Sequence, residues 1–310
     1  MAQDELAGDG LNQRSWKIME KRSLERLGFT EELNKGNNTD IDTYGHNKFM
    51  ASRATPESYL KYELERELPF KIAAGTTLFC DFDGPIIDVS DRYYATYQLA
   101  LNSVAELLQQ SCHLKSKQRI TPLTKSQFWV MKQNRTPDVE IALRSGLQGE
   151  FIPPFVSQVH QWVNQPDLLI TDHIQPGVRY GLTLFRKAGV RVVLVTLRDR
   201  LQAIQVLLQN HLLHYFNEVY GTQDISNAYT NSTDLKIRLL SEVILGQRGE
   251  GHIPCGIVGD TEADILAGQA VGIPTVALTC GIRSQFYLEQ LEPTVIFGDL
   301  LSAAQSLLSS

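Results

Sequence analysis

The sequence predicts a doubly wound α/β fold, a parallel sheet flanked by helices with a helical block inserted into it. Two observations carry this expectation. Short apolar runs recur from Thr76 onward, each bounded by polar or glycine residues, as strands buried on both faces of a parallel sheet require. Stretches with helical periodicity separate them, the pattern of a sheet wound with helices on both sides.

The elements follow in order. About a third of the residues before position 71 are charged, and polar clusters such as KGNNTDID from Lys35 leave few apolar repeats, so 1–70 is expected to be a polar, partly disordered extension. Within it Thr55-Pro56 offers a helix start, with Leu60, Leu64 and Leu68 following at intervals of four. Asp40, Asp42 and Gly45 resemble the start of a calcium loop, but Tyr44 and Ala51 stand where oxygen ligands belong. TTLFCD is the first strand, and VRVVLVT ending at Thr196, CGIVGD ending at Asp260, PTVALT and TVIF are the later ones. Helices are expected over Asp199 to Asn210, Thr233 to Leu245 and Glu262 to Val271. Between about Tyr93 and Gln175 the alternation stops, and DRYYATYQLALNSVAELLQQ and SQFWVMKQN read as helices with no convincing strand. The division is therefore a core of 71–92 with 176–310, and a helical cap over 93–175.

Composition bounds the function. The chain has 310 residues, 43% hydrophobic and 21% charged, with a formal net charge of -6, which argues against a broad cationic surface for nucleic acid. No apolar run approaches a membrane span, and MAQDELAGDG carries neither a basic flank nor a hydrophobic stretch, so a cytoplasmic protein with no membrane partner is expected. Cys80, Cys112, Cys255 and Cys280 lack metal-ligand spacing and are expected as thiols.

Ligands of open parallel sheets sit beyond the carboxyl ends of the strands. There this chain places Asp81 and Asp83 in CDFDGPIID, Thr196, and Asp260 and Asp264 in GDTEAD. Carboxylates crowded together repel unless a cation offsets them, and carboxylate oxygens suit Mg²⁺. Lys236, in STDLKIRLL, adds a positive point charge near the same edge.

These four motifs, DxDG at Asp81, the strand-end Thr196, Lys236 and GDxxxD at Asp260 in chain order, resemble the haloacid dehalogenase-like hydrolases, and within them the aspartate-nucleophile phosphatases with a helical cap after the first motif, similar to phosphoglycolate phosphatases. The resemblance spans about Thr76 to Phe297. It implies a Rossmann-like core, Asp81 as nucleophile, Asp83 as general acid and base, and Thr196 and Lys236 as phosphoryl ligands. It further implies Mg²⁺ on Asp81, Asp260 and the Asp83 backbone carbonyl, with Asp264 supporting the metal or orienting Lys236. An acid at Asp83 favours phosphate esters over carbon-halogen bonds, and the implied substrate is a small phosphorylated metabolite. Pro85 departs from the pattern by removing a backbone donor from the phosphate loop, and Arg198, two residues after Thr196, is positioned for an anionic group of the substrate. Two alternatives remain: a phosphomutase on the same core, or a non-catalytic regulatory protein. Trp129, Phe128 and Met131 are expected in the cap interior, and Arg135 and Arg144 on its surface unless one faces the catalytic edge.

Overall fold

The computed structural model describes residues 69–110, 119–224 and 227–308; the expected N-terminal helix and almost all of the 1–70 extension lie outside them. Six parallel strands form the sheet: β1 (Thr76–Cys80), β4 (Arg191–Asp199), β5 (Glu218–Thr222), β6 (Ile253–Gly259), β7 (Thr275–Leu278) and β8 (Val295–Phe297). Their spatial order is β5-β4-β1-β6-β7-β8, with every neighbouring pair parallel. Counted by appearance in the chain this is the 3-2-1-4-5-6 winding, whose crevice opens at the carboxyl end of the first strand, where the order reverses.

Side-chain alternation explains the near-continuous apolar strands. Leu78, Cys80, Val192, Leu194, Val258 and Val276 face one buried layer, whereas Phe79, Val193, Val195 and Ile257 face the other. The first layer is completed by Val178, Leu182 and Phe185 of α6 (Val178–Lys187) and by Leu300, Ala303 and Leu307 of α12 (Leu300–Leu308). The second takes Leu240, Val243 and Ile244 of α9 (Thr233–Gly249) and Ala267 of α10 (Glu262–Ala270). Strands buried on both faces need no polar alternation.

Two expectations are corrected. β4 does not end at Thr196 but runs on to Asp199, where the Asp199 carboxylate caps α7 (Arg200–Gln209) by accepting from Gln202 N at 2.9 Å. Its pairing to β5 is interrupted between Val195 and Asp199, so Thr196 sits in an irregular stretch of a strand. The segment expected to be free of strands contains β3 (His173–Ile174), which pairs antiparallel with β2 (Ile87–Asp88) through Ile87 to Ile174 and Asp88 to His173.

Between β2 and β3 the described elements are helical, among them α1 (Ser90–Gln110), α2 (Lys125–Gln133), α3 (Asp138–Arg144), α4 (Ile152–Trp162) and the short α5 (Pro166–Leu169). Thr124 and Gln127 close a capping box at the start of α2, which satisfies helix-end N–H groups. Tyr97 of α1 stacks on Phe128 at 4.9 Å and meets Phe155 edge-on at 6.1 Å, and Met131, Ile141 and Val159 close this interior. Phe128 and Met131 are thus buried as expected, with Trp129 packed at the margin.

Candidate active site

Asp81 follows β1 directly, its N–H donating to Val258 O of β6 at 2.9 Å, so the sheet itself aims the next side chain out of the carboxyl edge. Lys236, in the first turn of α9, is 1% exposed and places Nζ 2.7 Å from Asp81 Oδ1 and 2.7 Å from Asp264 Oδ1. The helix that carries it begins at Thr233, with the Ser232 hydroxyl accepting from Leu235 N at 3.4 Å. Asp264 is fixed by Thr261, whose hydroxyl and N–H donate to its Oδ2 at 2.8 and 3.2 Å. One carboxylate therefore both caps α10 and orients the lysine.

Asp260 follows β6 and is fully buried; its Oδ2 accepts from Ile282 N at 2.5 Å, while Oδ1 has no hydrogen-bond partner. Two glycines make room for it. A Cβ on Gly84, whose φ is +101°, would lie 2.1 Å from the Asp260 carboxylate, and one on Gly281 would lie 2.0 Å from its Oδ2. No larger residue fits either position without moving that carboxylate.

Asp81, Asp260 and Asp264 each offer one oxygen within 4.8 Å of the others. Burial, reinforced by Asp264 and opposed by Lys236, pushes Asp81 up to about 7, and burial beside Asp264 and Asp81 drives Asp260 well above the ordinary carboxylate range. Three carboxylates against one ammonium leave two uncompensated negative charges when all are ionised. The orphaned Asp260 oxygen, the glycine cradle and an all-oxygen donor set together fit a hard divalent cation.

Asp83 belongs to the same wall, but its side chain turns away from this group. Arg92 Nη2 lies 3.0 Å from its Oδ2 and Arg198 Nη2 2.8 Å from its Oδ1. Both arginines also hold Asp172, Arg92 Nε at 2.9 Å and Arg198 Nη2 at 2.6 Å. Arg198 is thus engaged inward, over the Phe82 ring, rather than extended toward solvent; its Nη1 is buried without a partner. Burial opposes the charge on Arg92, but Asp83 and Asp172 outweigh it and raise its pKa further. Thr196 is buried, its hydroxyl accepting from Arg198 N at 3.1 Å. In the loop after β1, Ile86 N and Ile87 N both donate to Phe82 O at 3.1 Å and Gly84 N to Ile87 O at 2.8 Å, so the turn around Pro85 closes on itself.

All seven residues singled out from the sequence meet at this edge, and Asp81, Asp83, Thr196, Arg198 and Lys236 line one pocket of 20 Å³, about room for a single water. Arg92, Asp172, Gly281 and the Glu262–Arg283 pair escaped the sequence reading. Arg92 had a usable signal, because it precedes by one and five positions the tyrosines Tyr93 and Tyr97 that α1 buries, a charge beside an apolar stripe. Asp172 had none. Arg283 clasps Glu262 through Nε and Nη2 at 2.7 and 3.0 Å, and Arg135 adds Nε at 3.0 Å. Arg135 therefore faces the start of α10, whereas Arg144 pairs with Glu140 on an exposed face.

The model of the haloacid dehalogenase-like hydrolases matches residues 78–278, which spans the sheet from β1 to β7 and every motif above. The chain belongs to this family. Among curated relatives, a phosphoglycolate phosphatase of Neisseria gonorrhoeae is 28% identical over 38% of this chain and 48% of its own length. A pyrophosphatase of Halalkalibacterium halodurans is 27% identical over 39% of this chain and 53% of its own. The chain spans about half the length of the curated relatives it matches. A solved structure described as a predicted phosphatase from Clostridium acetobutylicum superposes with a TM-score of 0.52 at 13% identity, covering 76% of this chain and 99% of that one, a likeness of fold. Among the described residues no helix is long and apolar enough to cross a membrane.

Proposed function

We propose that this family member is a Mg²⁺-dependent phosphatase that hydrolyses a small phosphorylated metabolite through an aspartyl-phosphate on Asp81. The observation that carries this reading is Lys236 Nζ at 2.7 Å from both Asp81 and Asp264, next to the orphaned oxygen of Asp260. A structural ion pair needs neither a third buried carboxylate nor an open pocket wall. The names of two relatives, a phosphoglycolate phosphatase and a pyrophosphatase, support phosphate-ester or anhydride chemistry.

In this reading 71–92 with 176–310 forms the chemical core, 93–175 forms a cap that shapes substrate choice, and 1–70 is an extension. Asp81 and Asp260, with the Asp83 backbone carbonyl, would hold Mg²⁺, which when bound offsets the carboxylates and the phosphate so that two anions can approach. An Asp81 oxygen attacks phosphorus while the bond to the ester oxygen breaks, and Asp83 gives its proton to the departing alkoxide. Asp83 then takes a proton from water as that water attacks phosphorus, releasing phosphate and regenerating Asp81. Lys236 and the Thr196 hydroxyl bind the transferring oxygens and hold them in line.

The test is phosphate release by the full chain from a panel including phosphoglycolate, sugar phosphates and pyrophosphate, with Mg²⁺ or with a chelator. Mg²⁺-dependent release from at least one compound is expected. An isomerised sugar phosphate without free phosphate would indicate a mutase, and inertness toward the whole panel would overturn the reading.

A further inference from the structure

The buried charges next to Asp83 form a closed quartet whose members come from both sides of one structural boundary. Asp83 follows β1 and Arg198 lies on β4, both part of the sheet that carries the motifs. Arg92 lies in the first turn of α1, just after β2, and Asp172 immediately precedes β3. β2 and β3 pair with each other, and they are the two passages of chain between the sheet and the helical insertion. Arg92 and Asp172 therefore flank the paired passages; Arg92 reaches the one motif carboxylate that is not in the Asp81 cluster, and Asp172 is joined to it through Arg92 and Arg198.

The quartet is buried except where Asp83 borders the pocket. The Arg92, Arg198 and Asp172 side chains are 0%, 1% and 1% exposed, and two guanidinium groups face two carboxylates. Arg92 is held further by Asn164 Oδ1 at 2.6 Å and Val163 O at 3.4 Å, both just after α4 of the helical insertion. Asp83, at 10% side-chain exposure, faces the pocket beside Asp81. A buried ion pair is a poor way to gain stability, because desolvation cancels much of the attraction. Its geometric specificity is the greater gain, since planar guanidinium forks fix the direction of each carboxylate.

From this geometry we infer that Arg92 and Asp172 are positioning residues for Asp83, holding its carboxylate toward the leaving-group side of the pocket and tying that position to the seating of the helical insertion. The inference rests on the phosphatase reading above. Without Arg92, Asp83 and Asp172 compete for Arg198 alone, whose Nη2 is shared between them at 2.8 and 2.6 Å and whose Nε adds only a longer contact to Asp83 at 3.3 Å. Asp83 is then left to turn, and proton transfer to the departing oxygen suffers. Asp172 acts in the other direction: without its charge both arginines close on Asp83, and the carboxylate loses the tie to β3.

The discriminating property is the leaving group. An alkoxide needs a proton as it departs, whereas nitrophenolate leaves without one. First-turnover rates on an alkyl phosphate and on p-nitrophenyl phosphate are measured by rapid quench for the wild-type chain and for Arg92→Met, Arg92→Lys and Asp172→Asn, with far-UV circular dichroism as the check on folding. The expected result is that Arg92→Met and Asp172→Asn slow the alkyl ester at least about tenfold more than the nitrophenyl ester, within the range that general acid catalysis supplies. The loss falls on kcat with KM little changed, and Arg92→Lys recovers part of it. Should Arg92→Met fail to fold, the comparison is made on Asp172→Asn and Arg92→Lys. Equal slowing of the two esters, or a faster alkyl ester, would overturn the inference while leaving the phosphatase reading intact. A wild-type chain inert toward both esters would overturn that reading and the inference with it.

Discussion

Replacing Asp138 with asparagine keeps the shape of the side chain and removes the charge that joins the helical insertion to the sheet-borne segment after β5. Asp138 opens α3 and meets Lys132 Nζ at 3.1 Å, accepts from the Tyr229 hydroxyl at 2.9 Å, and has His160 Nε2 at 3.6 Å. Tyr229 belongs to α8 (Asn227–Thr230), so this contact crosses from one part of the fold to the other. Burial pushes the Asp138 carboxyl up, but His160, Lys132 and Tyr229 outweigh it and bring it down from 3.8 to about 2. At about 1.4 kcal/mol per pKa unit, that difference is worth roughly 2 kcal/mol of stability at neutral pH. The folded pKa is depressed, so this contribution is present above about pH 4 and fades as the pH falls through 2. The variant should therefore lose about 2–3 kcal/mol at pH 7, the upper figure allowing for the Lys132 ammonium left buried without its counter-charge. For a body of this size that corresponds to a melting temperature lower by about 5–10 °C. Denaturation by urea, followed by far-UV circular dichroism for both proteins at pH 7, 4 and 2.5, measures it. A deficit below about 0.5 kcal/mol at pH 7, or one equally large at pH 2.5, would refute the reasoning.

Three further outcomes follow from the site. Gly281→Ala brings a Cβ to 2.0 Å from Asp260 Oδ2, so the loop or the carboxylate must shift; a cost of about 1–3 kcal/mol is expected in thermal unfolding, with a higher Mg²⁺ requirement in titrations of phosphate release. Asp260→Asn removes the anionic oxygen that has no protein partner, and should raise the Mg²⁺ concentration for half-maximal activity at least about tenfold. Asp83→Asn should change it far less, because the Asp83 side chain is engaged by arginines; similar shifts in the two variants would refute this assignment of the metal ligands.

Much of the architecture is legible in the sequence because buried parallel strands leave a strong apolar trace. TTLFC, RVVLV and TVAL each read as strands, and each lies in one. β5 carried no such trace: EVYGT has one buried residue, Val219, and lies at the sheet edge, where only one side is paired. The two-residue β2 and β3 are too short for any periodicity, yet they bring Arg92 and Asp172 together. The extent of β4 was misjudged because Thr196 and Arg198 are polar; both are buried, Arg198 against Asp83 and Asp172 from other segments and the Thr196 hydroxyl against Arg198 N of the same strand. The candidate site was legible wherever a motif ends an apolar run, as at Asp81, Asp260 and Asp264. Residues brought in by long-range pairing, such as Gly281 against Asp260, leave no local pattern to find.

The central claim is that Asp81 carries the phosphoryl group. Quenching a single turnover of a phosphate-labelled substrate within milliseconds, digesting the protein and locating the label by peptide mass spectrometry tests it directly. The account predicts a transient acyl-phosphate on the peptide containing Asp81, absent in Asp81→Asn, which should retain its fold and lose turnover. Phosphate release from the wild-type chain with no label ever on Asp81, or more than a few per cent of activity left in Asp81→Asn, would contradict it.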